Sequence, residues 1–288
     1  MIEEVLERQD WLEPVEAGLQ KGVAGAFDSA GTAGRAARNF LHGVWLGHPL
    51  HPVLTDVPLG AWTAAVVLDA MEAAGNRGCA RGADIAVQVG LAGAVGAAIT
   101  GLTDWQATDG RARRVGVVHG LLNIVATSIM TGSLFARKSG NRGLGRGLAL
   151  TGYVIGAASA WLGGELVYGE QIGVNHAAGT NPPKEWTDVR AASVVREGEP
   201  RRADAGEARV LLVRRGEEIC AIGEVCSHLG GPLAEGKLEG DVIECPWHAS
   251  RFCVRDGSVV DGPATHPQPR FEVREREGRV EVRGSQAG

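Results

Sequence analysis

The 288-residue chain is short of the features that define several common protein classes. Cysteine is scarce. Five residues over this length are too few for a disulfide framework, and an odd number cannot pair completely. A basic surplus is also missing: 29 basic against 34 acidic side chains leave a net charge of −5 and no broad basic face for nucleic acid. Glycine is abundant at 43 residues, yet it follows no collagen period and gathers in apolar stretches. The first residues, Met1–Glu4, are acidic and precede no early apolar run, so a conventional secretory leader is not expected. Charge itself is unevenly spread. Residues 52–169 hold 7 acids and 9 bases, whereas residues 186–288 hold 18 and 15.

Where charge is absent, the chain is long and apolar. Four runs without Asp, Glu, Lys or Arg stand out: Val57–Leu68 with 12 residues, Ile85–Thr103 with 19, Val115–Ala136 with 22 and Gly147–Gly164 with 18. A helix needs about 20 apolar residues to cross a bilayer. Three runs reach or approach that length, and the first does so by taking in Asp56 and Asp69. A soluble Ala/Gly-rich bundle is the alternative, but such uncharged runs leave it no polar face to solvate. Trp45, Trp62, Trp105 and Trp161 lie in or beside the runs, as interfacial anchors do. Gly93, Ala97 and Gly101 form a small-residue stripe suited to close helix contact in lipid. Ahead of the runs, residues 1–47 read as an amphipathic segment, with Pro14 opening a helical pattern over Val15–Phe27.

After Tyr168 the pattern changes to a linker, residues 171–185, and then to short Val- and Arg-rich segments between glycine turns. Arg209–Val213, Glu218–Ile222, Val242–Cys245, Phe271–Arg274 and Arg279–Arg283 read as strands of a small antiparallel domain, residues 186–288.

The chemistry lies in this tail. Cys226-Ser-His228 is followed by Cys245-Pro-Trp-His248, each half in a turn between predicted strands. Two sulfur and two nitrogen ligands suit either one tetrahedral zinc or a mixed-ligand iron–sulfur cluster. A third loop at Gly262-Pro263 favours the cluster, which needs several loops folded over it. With HLGGPL after the first half and SRFCVRDGSVVDGP after the second, the segment from Trp186 to Arg283 resembles the Rieske [2Fe-2S] family.

That resemblance implies one iron on Cys226 and Cys245, a second on His228 and His248, and both imidazoles at an exposed tip. Respiratory members of the family carry an extra cysteine in each cluster loop, joined as a disulfide. The matching positions here are Gly231 and Trp247, which fits a reducing compartment and resembles the ferredoxin components of ring-hydroxylating oxygenases. High-potential members also bond cluster sulfurs with a Ser and a Tyr hydroxyl. Ser250 matches the first, whereas Phe252 stands at the second and has no hydroxyl, so the potential is expected in the lower half of the Rieske range.

The segment Gly47–Pro52 with Asp56 and Pro58, then Gly101–Trp105 and His119–Asn123, resembles a four-helix bacterial membrane family over residues 40–170. The fold class expected is therefore multidomain: an all-α bundle of four transmembrane helices over 48–170, followed by an all-β Rieske domain. Four alternating spans bring His48, His51, Asp56, Asp104, His119 and Glu165 toward one membrane side, together with the Rieske domain. This group is a candidate redox or proton site, with haem or quinone as its ligand, or else a hydrogen-bonded cluster that fixes the bundle. Six basic residues flank the spans on each side, which gives no positive-inside vote. The missing leader and missing disulfide cysteines point the Rieske domain toward the cytoplasm.

The function expected is a membrane-anchored electron-transfer protein, whose partners are the lipid bilayer and a redox protein, haem or quinone. A redox-sensing or transport protein regulated by the cluster is the alternative. A stand-alone oxygenase would need a mononuclear iron site in a large domain after the cluster motif. Only the short stretch 249–288 follows His248, and His266 is its single histidine.

Overall fold

A computed structural model describes residues 13–285, so Met1–Glu4 lies outside the described residues. The chain forms two compact units, one of residues 13–34 and Leu50–Gln171, the other of Arg35–Pro49 with residues 172–285.

The first unit is helical. Helix α1 (Glu13–Asp28) opens it; α2 (Gly31–His42) follows, and its residues from Arg35 on belong to the second unit. The bundle itself consists of α3 (Leu50–Ala73), α4 (Ala80–Trp105), α5 (Gly110–Lys138) and α6 (Arg142–Tyr168). All four are long and apolar enough to cross a membrane. They extend beyond the charge-free runs because the flanking charges find partners. Asp69 is buried against Arg137, with Nη1 to Oδ1 at 2.8 Å, and Arg142 binds Glu72 and Asp84 at 2.6 and 3.0 Å. Asp56, by contrast, is exposed on α3. At the other end Glu16 of α1 pairs with Arg113 at 3.1 Å, and Gln20 caps the α4–α5 connection by donating to the Trp105 and Thr108 carbonyls.

Neighbouring helices pack in sequence order, and α6 closes on α3, so α3 and α5 lie across a diagonal. The small-residue stripe works as its spacing suggests: a Cβ on Gly93 would lie 2.6 Å from Val57, and one on Gly101 would lie 2.8 Å from the His51 ring. Trp62 departs from the interfacial expectation. It is 5% exposed and forms the bundle core with Ala126, Met130 and Ala149, its indole seated where a Cβ on Gly90 would fall. Trp45 and Trp161 remain exposed.

The second unit is built on three antiparallel sheets. Strands β2 (Arg201–Ala205), β3 (Ala208–Arg215) and β4 (Glu218–Gly223) form one; β1 (Thr187–Ala191), β10 (Arg279–Gly284) and β9 (Phe271–Arg276) form another. The third orders β5 (Lys237–Glu239), β6 (Val242–Glu244), β7 (Arg251–Cys253) and β8 (Val259–Asp261). Strand β3 is buried on both faces, which explains its unbroken Val-Leu-Leu-Val run. Val210 and Leu212 enter one core, whereas Leu211 and Val213 enter a second that also contains Cys226, Cys245 and Phe252. The segment Arg35–Pro49 belongs to this unit, so the chain on both sides of the four helices folds together.

Candidate metal centre

Two tight turns present the cysteine–histidine pairs. After β4 the chain folds back on itself, with Cys226 N donating to Gly231 O at 2.9 Å and Gly230 N to Cys226 O at 2.9 Å. Gly230 has φ +78°, a left-handed conformation that glycine adopts without steric cost. The second turn, between β6 and β7, repeats the pattern: Cys245 N donates to Ser250 O at 2.8 Å and Ala249 N to Cys245 O at 3.1 Å. Here a non-glycine residue, Ala249, occupies the left-handed region at φ +58°. The two loops therefore present their side chains in matching frames.

Both cysteines are buried, as free thiols hydrogen-bonded to one another. The two imidazoles are half-buried, with ring centroids 5.0 Å apart and planes at 80°. His228 Nδ1 is buried without a hydrogen-bond partner. An orphaned polar atom of this kind is costly unless something absent from the polypeptide binds it. Thiols pair with thiols and imidazoles with imidazoles. Among the described residues no three His, Cys, Asp or Glu side chains converge on one point, as a single tetrahedral zinc requires. Two pairs side by side are the donor set that two irons share.

Electrostatics agree with a site built for deprotonated ligands. Burial, and then the neighbouring His248, His42 and His176, push the His228 imidazole down to about 3, so its ring nitrogens are free of added protons at neutral pH. The Cys226–Cys245 hydrogen bond brings the Cys245 thiol down to about 7 and holds Cys226 up. Metal binding displaces thiol protons in any case.

The surroundings are tight. A Cβ on Gly231 would stand 2.7 Å from Cys245 Sγ and 3.1 Å from the Trp247 ring, so the larger side chain of respiratory relatives has no room in this loop. Ser250 is fully buried, and its Oγ accepts from Ala264 N at 3.0 Å, which leaves its O–H free to donate. Phe252 is fully buried beside both cysteines.

The residues before and after the helices also reach this site, which sequence reasoning did not anticipate. Asn39 donates to Asp261 Oδ1 at 2.8 Å and accepts from Gly262 N at 3.0 Å. His42, 1% exposed, packs against Gly262. His176 N donates to Ser227 O at 3.0 Å, and Ser227 Oγ to His266 O at 2.6 Å. The His228 side is thus walled by the chain itself, while Trp247, beside His248, stays 57% exposed.

The six polar residues expected to gather in the membrane half are dispersed. His51 and His119 come together, with centroids 6.4 Å apart, and Asp104 lies within electrostatic reach of His51. Glu165 binds Arg111 at 3.1 Å, and Asp56 is exposed. His48 falls in the β-rich unit, edge-on to His266 at 5.4 Å.

Two segments of the chain match known family models. Residues 185–272 fit the family model described as "Rieske [2Fe-2S] domain", and residues 47–176 fit "Predicted membrane protein (DUF2231)". Ferredoxin CarAc of Metapseudomonas resinovorans is 41% identical over 100 residues, covering 34% of this chain and 94% of that protein. The anthranilate 1,2-dioxygenase ferredoxin subunit of Burkholderia cepacia is 34% identical over 98 residues, 34% of this chain and 91% of that one. The ferredoxin component of biphenyl 2,3-dioxygenase from Rhodococcus jostii (strain RHA1) is 36% identical over 88 residues, 31% and 82% respectively.

Proposed function

The chain belongs to the Rieske [2Fe-2S] family, through a C-terminal domain joined to a DUF2231 membrane domain, and from that premise we propose that it is a membrane-anchored one-electron carrier. The observation that carries this reading is the two-and-two pairing of buried thiols and facing imidazoles, in a chain that also holds four membrane-length helices.

Cys226 and Cys245 would hold one iron, and His228, whose Nδ1 is orphaned, and His248 would hold the other. A bound [2Fe-2S] centre supplies reversible one-electron chemistry. The polypeptide does the rest. Phe252 and the core around it keep water from the thiolate side, and Ser250 offers a hydroxyl proton from a fixed position. His248, beside the exposed Trp247, forms the side open to a partner.

Relatives of the domain are named as ferredoxin components of dioxygenases. For this chain the corresponding role is electron exchange between a protein partner and a redox group, haem or quinone, with the bilayer holding the carrier in place. Four spans return the chain to the side from which it set out, in keeping with one unit formed from both flanking segments. We place that unit in the cytoplasm; Gly231 and Trp247, where respiratory members carry their disulfide, support a reducing side.

The test is chemical and spectroscopic. Full-length protein purified in detergent should contain about two irons and two acid-labile sulfides per chain, with the electron paramagnetic resonance signal of mixed His/Cys ligation after dithionite. Stoichiometric zinc without labile sulfide would sink the reading.

A further inference from the structure

The β-rich unit carries an aromatic pair that neither its two cores nor the metal loops use. Phe40, in the last turn of α2, is 56% exposed, and Trp45 is 61% exposed. Their rings stack, with centroids 5.6 Å apart and planes 11° apart. Trp45 stands in a 3-10 turn, Val44–Leu46, framed by two glycines in the left-handed region, Gly43 at φ +84° and Gly47 at φ +71°. Glycine takes that conformation without steric cost, and the turn folds the indole back over the Phe40 ring. Leu46, next in the chain, is exposed as well.

The same segment is bound on its inner side to the third loop of the metal centre. Asn39 holds Asp261 and Gly262 through two hydrogen bonds, and Arg35 lies 4.0 Å from the Asp261 carboxylate. A Cβ on Gly262 would meet His42 Cδ2 at 3.0 Å and Val44 Cγ2 at 3.3 Å. Residues 35–49 therefore have two sides. Asn39, His42 and Val44 grip the loop, while Phe40 and Trp45 face away from any partner in the unit's cores.

The hydrogen bonding of this edge suits lipid. Gly43 N and Trp45 Nε1 both donate to the Phe40 carbonyl at 3.1 Å, Leu46 N donates to Gly43 O at 2.9 Å, and Gly47 N to Val44 O at 3.3 Å. The indole donor and the amides of the turn are thus satisfied inside the segment, as entry into an apolar layer requires. Chain position says which layer. Leu46 precedes the first residue of α3 by four positions, a reach of about 14 Å at full extension. The 24 residues of α3 rise about 36 Å against a hydrocarbon core of about 30 Å, so its ends lie among the headgroups. Tryptophan is enriched in that layer, where its apolar body and polar edge both find a match. A scattered exposed side chain needs no account. A stacked pair on an internally bonded turn, this close to a span, does.

We propose that the Phe40–Trp45 stack is a membrane-interface anchor: its partner is the headgroup layer of the bilayer, and through Asn39 and His42 it seats the β-rich unit on the lipid surface. The metal centre's third loop is then held at a fixed attitude to the membrane. Anchoring rests on the four helices crossing a bilayer. Its use in orienting a cluster rests on the function proposed above.

The experiment has two arms, both on full-length protein. In the first, tryptophan fluorescence is recorded in nanodiscs of phosphatidylcholine brominated at a shallow or a deep acyl position, each against plain lipid. Subtracting Trp45→Phe, which keeps an aromatic anchor but removes one fluorophore, isolates the Trp45 component. That component should be quenched more by shallow bromine than by deep bromine or by aqueous iodide. Quenching by iodide and by neither bromolipid overturns the proposal. Shielding from all three puts polypeptide over Trp45 and overturns it as well. In the second arm, the cluster resonance is followed in oriented membrane multilayers. It should vary with the angle of the field to the membrane normal in wild-type protein and in Trp45→Phe. Phe40→Ser combined with Trp45→Ser should lose that variation while the visible cluster absorption persists. Equal angular variation in all three proteins overturns the anchor. Absence of any Rieske resonance would instead overturn the proposed carrier function, and the quenching arm then decides the anchor by itself.

Discussion

His228 and His248 meet edge to plane, 5.0 Å between ring centroids, although β5 and β6 lie between them in the chain. Each ring comes from its own loop, and the two loops close with matching backbone hydrogen bonds. This pairing makes the ligand assignment testable one atom at a time. Replacing His248 by Cys leaves a soft ligand within reach of the same iron, so iron should be retained while the resonance moves from the mixed-ligand form toward that of an all-thiolate cluster, and the potential falls. His248→Ala should lose the cluster. Unchanged spectra in both variants would remove His248 from the ligand set.

Ser250 is the residue whose hydroxyl is best placed to tune the site. Its Oγ is held by Ala264 N–H at 3.0 Å, and its own proton is free. A hydrogen bond to a charged acceptor contributes about 1.5–3 kcal/mol, and about 59 mV corresponds to a tenfold change in a one-electron equilibrium. Ser250→Ala should therefore lower the potential by tens of millivolts. It also strands the buried Ala264 N–H, at a stability cost of about 1–3 kcal/mol. Protein-film voltammetry and thermal melting check the two effects separately. A fall in stability without a shift in potential would show that the hydroxyl proton is not aimed at the cluster.

Gly231 tests how much space the first loop can spare. A methyl at that position would start 2.7 Å from Cys245 Sγ, inside any real contact distance, and it faces a thiol that must move little if it is to ligate. Overpacking costs about 1–3 kcal/mol. Gly231→Ala should reduce iron occupancy or hasten cluster loss during heating, followed through the visible absorption of the cluster. A variant with full occupancy and an unchanged half-life would mean that the loop shifts freely.

Much of this organisation was legible in the sequence, because the signals were strong and local. The charge-free runs marked the four helices, and Cys-x-His with Cys-x-x-His marked the metal loops. Strands β5, β7 and β8, three residues each, left no readable alternation. Trp62 looked interfacial because its seat is made by Gly90 and Gly156 on other helices, a complementarity that chain order does not reveal. His48 and His51 looked like neighbours. Gly47, at φ +71°, and Pro49 redirect the chain between a 3-10 turn at Val44–Leu46 and α3, so the two rings serve different units. The role of Asn39 and His42 had no sequence signal at all. Their partners, Asp261 and Gly262, lie beyond all four helices in the chain, out of reach of any local pattern.

Within the helical bundle, Arg137 is 5% exposed and binds Asp69 and Asp84. Removing one partner of a buried ion pair leaves an uncompensated charge, at a cost of about 3–5 kcal/mol. Arg137→Met should lower the melting temperature of the detergent-solubilised protein strongly. Adding Asp69→Leu should recover most of the loss, because the stranded carboxylate goes with it. A double variant as unstable as the single would mean that Asp84, or helix packing by the Arg137 stem, carries the effect.

The last prediction concerns pH. His266 is half-buried beside His48, and burial first, then that neighbour, holds its imidazole below the ordinary value of 6.5. A depressed histidine pKa means that the folded unit binds a proton less readily than the unfolded chain. Between about 6.5 and the lower folded value the unfolded state therefore holds more protons, and stability falls as pH falls through that window. His228, unprotonated as a ligand and free to take a proton below about 6.5 in the unfolded chain, adds to the same slope in every variant, so the histidine pair is read from the difference between proteins. Melting followed through cluster absorption should thus occur at a lower temperature at pH 5.5 than at pH 7.5. His266→Gln should flatten the difference, and His48→Gln should reduce it by removing the neighbouring charge. A slope of the same size in all three proteins would assign the acid sensitivity to cluster ligation and not to this histidine pair.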